Sequence, residues 1–403
     1  MTEQPQRKGP LHGIRILAIS QFGAGPFATM NLADLGAEVI KIEDPTTGGD
    51  VARYVPPATS DADSLYFQSF NRGKKSIAID LRKPEGVNVF HQLVEKSDAV
   101  FNNLRGDLPK KLGLTYETLR SLNPSIVTCS LSGFGRTGPR ASEPGYDPIM
   151  QAMAGYMSIT GEPDGPPGKA GVSIIDFAGG YAAALGLVAA LLEANTTGVG
   201  RDVDVSLLDT AVSMLTYFGS WQMNSDWQPA RTPSSSHQML VPAQNFQTSD
   251  GWINVFCAKE HFWRKFAELI ELPELISDEK FANFALRYDN RKILIPILSE
   301  RLLEKNNAEW LDRFRGIVPS GPVNSIEQAF EDEQIKARGL IVEIEHPVYG
   351  TIKQVSSAIS TEGSNQVVSP GPSLGEHTDE ILANLLFLEP KEVQGLRNSG
   401  AIG

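Results

Sequence analysis

An aspartate set among apolar residues is the first place to look for chemistry in this chain. Asp176 follows Gly171-Val172-Ser173-Ile174-Ile175 and precedes Phe177-Ala178-Gly179-Gly180, at what the pattern predicts is a helix start. Two roles fit it. A carboxylate there can cap the helix by accepting amide hydrogen bonds. It can also be a reactive nucleophile whose charge is governed by the helix terminus and adjacent amides. The neighbouring glycines would let a substrate approach the backbone closely, which capping does not require. Asp147, in Gly145-Tyr146-Asp147-Pro148, is placed to cap the helix that follows it, and that role is compatible with one in catalysis.

Other stretches could hold an anion. Gly23-Ala24-Gly25 precedes an apolar helix and could admit a phosphate to its N-terminus. The full GxGxxG fingerprint is absent, because Ala28 holds its last position, so a plain tight turn fits equally. Arg72, Lys74 and Lys75 crowd cations around Gly73, as a phosphate contact or as a solvated turn. Ser132-Gly133-Phe134-Gly135-Arg136-Thr137-Gly138-Pro139 could turn backbone amides toward an anion. The six histidines show no HxxxH or HExxH spacing, so no metal site is expected. Cys129 and Cys257 form neither a disulfide framework nor a metal pattern.

The elements that must position these residues alternate. Ile14–Ile19 reads as a strand, Phe27–Leu35 as a helix ended by Gly36, and Val39–Ile42 as a strand. Pro84–Lys96 then reads as helix, Ala99–Phe101 as strand, Tyr116–Leu122 as helix and Ile126–Ser130 as strand. Such alternation implies a parallel sheet covered on both faces, with ligands beyond the carboxyl ends of its strands. A helix over Phe177–Glu193, a strand over Asp202–Val205 and a helix over Leu207–Met223 follow. The polar stretch Asn224–His237 reads as a linker to a second domain, with strand Ile253–Phe256 and helices at Glu260–Ile270, Lys292–Leu303 and Ala308–Phe314. Strands return at Gly339–Ile344 and Thr351–Val355.

At 403 residues and a net charge of −12, the chain has enough material for two domains and an acidic surface that argues against nucleic-acid binding. The apolar run Ala182–Leu192 is shorter than the ~20 residues that span a bilayer, and Met1–Pro10 lacks the apolar core of a signal peptide, so no membrane and a cytoplasmic location are expected.

Several ordered motifs resemble the class III CoA-transferases, the family of formyl-CoA transferase, carnitine CoA-transferase and the α-methylacyl-CoA racemases. They are Leu11-His12-Gly13-Ile14-Arg15-Ile16-Leu17, Gly25-Pro26, Leu32 to Glu43, Tyr66-Phe67, Asn71 to Ser76, Leu112 to Tyr116, Leu122 to Pro124, Gly133 to Pro139, Gly145-Tyr146-Asp147, Thr197 to Val205 and Gly375-Glu376-His377-Thr378. The resemblance implies an α/β fold with a Rossmann-like large domain, residues 1–224 and 335–403, and a smaller α+β domain, residues 225–334. It further implies an interlocked, ring-like homodimer, or a pairing with a paralogous subunit. The substrates implied are an acyl-CoA and a small carboxylic acid, with no tightly bound cofactor and no metal.

By position, Asp176 falls on the family's catalytic aspartate and Asp147 where formyl-CoA transferase has an assisting glutamate. Ala24, Asn71, Arg72, Gly73, Lys74, Asn103, Leu104, Arg105 and Lys111 fall on segments that line the CoA site, with Tyr146 beside it. Asp176 would attack the thioester to form an acyl-aspartyl anhydride, then an aspartyl-CoA thioester. Amides near Gly179-Gly180 or the Ser234-Ser235-Ser236 loop are candidate oxyanion donors. Racemases of the family carry a His where this chain has Tyr146, a poor proton shuttle at neutral pH, so CoA transfer is expected over racemisation. A non-catalytic CoA-binding subunit and a dinucleotide oxidoreductase are the remaining alternatives. The chain departs from the family pattern at Gly106-Asp107, at Asp44-Pro45 and at Ser234 to Gln238, so acyl selectivity does not transfer.

Overall fold

The computed structural model describes residues 9–57, 59–60, 63–361 and 369–403; the polar start, residues 1–8, lies outside the described residues. The chain divides into two compact units. The larger comprises residues 1–154, 172–216 and 333–403, and the smaller residues 155–171 and 217–332. The smaller unit thus starts at Tyr217, earlier than residue 225, and takes in Gly155–Gly171 as well. The reason is local. The helix expected over Leu207–Met223 is two helices, Leu207–Ser213 and Thr216–Asn224, broken where Thr216 takes a positive φ of 42°.

Six strands build the sheet of the larger unit: β1 Arg15–Ile19, β2 Glu38–Glu43, β3 Lys75–Ala78, β4 Ala99–Asn102, β5 Val127–Ser132 and β6 Asp202–Ser206. All neighbours pair in parallel, in the order β3-β2-β1-β4-β5-β6. In register, Leu17 of β1 faces Ile40 on one side and Val100 on the other. Ile16, Leu17 and Ala18 are all buried, as both faces of a covered parallel sheet require.

The helices that matter to the site are α1 Ala24–Asp34, α2 Leu65–Asn71, α3 Pro84–Glu95, α4 Asp147–Met153, α5 Ile174–Thr197 and α6 Leu207–Ser213. On one face Leu17, Ile40 and Ile42 pack with Phe90 and Leu93 of α3 and with Ile381 and Leu382 near the carboxyl end. On the other face α5 packs against α1, β5 and β6. Gly180 makes that approach possible: a Cβ there would lie 2.9 Å from Phe27 Cδ1 and 3.0 Å from the Ala24 carbonyl oxygen.

Helix α5 is longer than the sequence pattern suggests, running 24 residues from Ile174. By length and composition it could cross a membrane. Here Ala183, Leu187, Leu191 and Ala194 are buried inside the unit. Ser173, at its N-cap, makes no side-chain cap, so the local sequence carries no start signal.

The smaller unit holds a three-stranded antiparallel sheet, Ser320–Pro322 beside Trp252–Phe256 beside Ala243–Gln247, of which the sequence pattern marks only the central strand. Phe246, Ile253, Trp263, Phe266, Leu298 and Trp310 form its own core. The paired strands Ile341–His346 and Gly350–Val355 belong to the larger unit.

Candidate active site

The connections from β1 and β4 leave the sheet in opposite directions, so a crevice opens beyond their carboxyl ends, where ligands bind in sheets of this order. A cleft of about 320 Å³ lies there, lined by Gln21, Phe22, Gly23, Asn103, Tyr146 and Asp176 among others. Its walls are the turn from β1 into α1, the loop after β4, the start of α4 and the first turn of α5.

Asp176 is the third residue of α5, and it caps nothing. The cap comes from elsewhere in the chain. Asp147 Oδ1 accepts the Ile175 N–H at 2.7 Å and the Asp176 N–H at 3.4 Å, while its Oδ2 accepts Gln151 Nε2 at 2.7 Å. Asp147 therefore does not cap its own helix, as its position before Pro148 suggested. Its Oδ1 is spent on the helix that carries Asp176 and its Oδ2 on Gln151 of its own helix, and it is buried.

Among the described residues no group hydrogen-bonds the Asp176 carboxyl oxygens. Burial, and then the Asp147 charge, push this carboxyl from the usual 3.8 up to about 7. A carboxyl that gives up solvation without gaining a partner is kept ready to react or to be neutralised. Gly23 leaves room in front of it: a Cβ at Gly23 would sit 3.6 Å from Asp176 Oδ2 and 3.5 Å from the Tyr66 hydroxyl.

Tyr66 is the site residue that the sequence reading passed over as an aromatic in a motif. Burial, then the charges of Asp176 and Asp50, push its hydroxyl up to about 12, so it stays an O–H donor. Its ring belongs to a chain of aromatics, Phe22 to Tyr66 at 5.3 Å, Tyr66 to Phe70 at 5.2 Å and Phe70 to Phe177 at 6.1 Å between centroids. The spacing of Tyr66 and Phe70, one helical turn apart before the cationic stretch, was the available signal.

Of the residues that the resemblance assigned to a CoA site, Ala24, Asn103, Leu104, Arg105 and Tyr146 line the cleft with Asp176. Arg105 is paired with Asp107 at 2.7 Å. The structure does not bring the others to this cleft. Asn71, Arg72 and Lys74 are buried. Arg72 pairs with Asp34 at 2.6 Å and donates to the Val355 carbonyl. Lys74 donates to the carbonyls of Pro26 and Phe70 and to Asn71 Oδ1, each at 2.9 Å, and its enclosure lowers its pKa well below the ordinary value. Gly73, with φ +70°, turns the chain between them and donates to the Ser369 carbonyl. Lys111 is exposed and pairs with Asp107.

The amides of Gly179 and Gly180 are no oxyanion donors. Both residues lie beyond the first turn of α5, where each N–H is taken up by the helical ladder. Ser234 and Ser235 lie in the smaller unit, each with φ +54°. Among the described residues no group of three or more His, Cys, Asp or Glu could hold a metal ion.

Comparison with known proteins bears on this site. The profile of CoA-transferase family III matches residues 11–378. The chain is 38% identical to succinyl-CoA:glutarate CoA-transferase of Mus musculus, over 98% of this chain and 90% of the mouse protein. It is likewise 38% identical to succinate–glutarate CoA-transferase of Agrobacterium fabrum, over 96% and 99% of the two chains. The crystal structure of a CAIB/BAIF family protein from Brucella suis superposes with a TM-score of 0.80 at 33% identity, covering 94% of this chain and all of that one. The chain belongs to CoA-transferase family III, and it is an enzyme that transfers CoA between an acyl-CoA and a carboxylic acid.

Proposed function

We propose that Asp176 is the nucleophile of this transfer, and that the enzyme moves CoA from succinyl-CoA to a small dicarboxylic acid such as glutarate. The observation that carries the first part is a half-buried carboxyl without a hydrogen-bond partner, facing a cleft at the ends of β1 and β4. The second part rests on relatives named for succinyl-CoA and glutarate.

In the proposed cycle Asp176 attacks the thioester carbonyl, and CoA thiolate leaves the tetrahedral adduct, which becomes a mixed acyl-aspartyl anhydride. The thiolate attacks the aspartyl carbonyl, which yields aspartyl-CoA thioester and the free donor acid. The acceptor carboxylate then attacks this thioester and the steps run in reverse. Enclosure beside bound thioester makes a weak carboxylate nucleophile effective through proximity. Asp147 holds the first turn of α5 so that the carboxyl stays in the cleft. Tyr66, kept protonated, is the proposed donor to the acyl oxyanion. Ala24, Asn103, Leu104, Arg105 and Tyr146 form the CoA side of the cleft in this reading, and Asn71 to Lys74 support its floor from behind.

A Rossmann-like CoA-binding unit and a homodimer complete the reading. Helix α5 leaves Tyr181, Leu185 and Leu192 exposed on one stripe, 38%, 72% and 69% accessible, which a second copy would cover.

The test is Asp176→Ala assayed with succinyl-CoA and glutarate. CoA binding is retained and transfer is lost; full transfer by that variant overturns the nucleophile assignment. Incubating a chiral 2-methylacyl-CoA in deuterated water checks the competing chemistry, with no deuterium uptake expected in the absence of an acceptor acid.

A further inference from the structure

In the turn that faces Asp176, side chains hold the Ser20 carbonyl, both backbone groups of Gln21 and the Phe22 N–H. Lys41 Nζ donates to the Ser20 carbonyl. Asn103 grips the Gln21 peptide from both sides, its Oδ1 accepting the Gln21 N–H at 2.9 Å and its Nδ2 donating to the Gln21 carbonyl at 2.8 Å. Asp50 Oδ1 accepts the Phe22 N–H at 2.9 Å and the Ala52 N–H at 2.9 Å, while Asp50 Oδ2 binds Lys41 Nζ at 2.7 Å. Lys41 and Asp50 are both buried.

The held conformation is an uncommon one. Phe22 has φ +68°, in the left-handed region that a side chain disfavours. Such backbone persists only when its surroundings over-determine it. Gly25 belongs to the same device, since a Cβ there would lie 2.7 Å from Asn103 Cγ and displace the amide that grips Gln21. The turn puts Gln21, Phe22 and Gly23 along the cleft, with Gly23 directly before the Asp176 carboxyl.

We propose that Asp50, seated by Lys41, is a positioning residue that holds Phe22 left-handed and thereby closes the Gln21–Gly23 turn against the acylated Asp176, so that CoA thiolate and not water attacks the anhydride. This rests on Asp176 being the nucleophile. The competing reaction is balanced by water alone. Its oxygen adds to the acyl carbon of the anhydride, the bond to the Asp176 carboxylate breaks, the donor acid and the free Asp176 carboxylate result, and the thiolate released earlier takes up a proton as CoA thiol.

The test compares two double variants in the full chain, because losing Asp50 alone leaves Lys41 charged and buried without its partner. Lys41→Met with Asp50→Leu fills the same space and removes the acceptor for the Phe22 N–H. Lys41→Met with Asp50→Asn removes both charges and keeps an amide oxygen there. Thermal melts establish that both fold. The readout is the ratio of succinyl-CoA hydrolysed to succinyl-CoA transferred to glutarate. The Leu variant raises this ratio on the order of tenfold, and the Asn variant restores it toward that of the unmodified enzyme. A merely structural pair lowers both rates in proportion and leaves the ratio unchanged, which overturns the proposal. Hydroxylamine trapping on the unmodified enzyme separates the two ideas. An adduct at Asp176 with an unchanged ratio sinks only the brace, whereas no adduct during transfer sinks the nucleophile and the brace with it.

Discussion

At the scale of single residues the account turns on how Asp176 is solvated. Its carboxyl is raised to about 7, by burial first and by Asp147 second. Only the carboxylate attacks, so kcat/KM for succinyl-CoA rises with pH through about 7 as Asp176 ionises. In Asp147→Asn the midpoint moves to lower pH, because one source of the upward shift is gone; a pH–rate profile that stays in place contradicts this. The same shift has a cost in stability. Between the unfolded value near 3.8 and the folded value near 7, the native state binds more protons, so the contribution of this group falls as pH rises through that window. Asp176→Asn is therefore more stable than the unmodified protein at pH 8, by about 2 kcal/mol after allowance for partial exposure, and a denaturant titration measures it. Tyr66→Phe leaves KM nearly unchanged and lowers kcat by roughly tenfold to a hundredfold if its hydroxyl serves the oxyanion. Both roles open to Asp176, cap and nucleophile, were legible from its apolar and glycine neighbours, and the local pattern does not decide between them. The raised pKa of Asp176 was not legible, because the burial that chiefly raises it comes from tertiary packing and Asp147 is 29 residues away in sequence.

At the scale of elements, one helix start carries the site. The cap on α5 is supplied by Asp147 of α4, and a cap delivered from a distant segment leaves no local signature. That is why the sequence reading starts this helix three residues late and offers Asp176 as its cap. Asp147→Ala loses the cap and the Gln151 contact, and costs about 1 to 2 kcal/mol in denaturant melts. Its kcat falls as well, since the first turn of α5 frays where the proposed nucleophile sits. Gly180 is a second constraint, one helical turn beyond Asp176 and against the start of α1. Gly180→Ala places a methyl 2.9 Å from Phe27 Cδ1 and forces α1 and α5 apart, at about 1 to 3 kcal/mol. The start of α1 lines the cleft, so this variant loses activity ahead of stability. A Gly180→Ala enzyme with unchanged kcat and unchanged melt contradicts the close-packing argument. The cationic stretch at Arg72 and Lys74 teaches the same lesson in reverse. Its charge was visible in sequence, but its acceptors come from Asp34, Pro26 and Val355, and they draw both side chains inside.

At the scale of the whole molecule, the alternation of strands and helices was readable because each buried strand is short, apolar and bounded by turns. The division into units was less so: Gly155–Gly171 is rich in Gly and Pro, which marks a break in the larger unit, but its place in the smaller unit comes from tertiary contacts that composition does not specify. The exposed stripe of Tyr181, Leu185 and Leu192 on α5 is the surface proposed to meet a second copy. Sedimentation of the unmodified protein gives a dimer, and Leu185→Glu shifts it to monomer or aggregate with loss of transfer; a fully active monomer contradicts this. The reaction cycle as a whole is tested most directly at one atom group. Protein turning over succinyl-CoA is quenched with hydroxylamine, digested, and its peptides are weighed by mass spectrometry. A hydroxamate on Asp176, formed only when the thioester is present, is the expected result. Sustained exchange of CoA with an Asp176 side chain that stays unmodified would contradict the account.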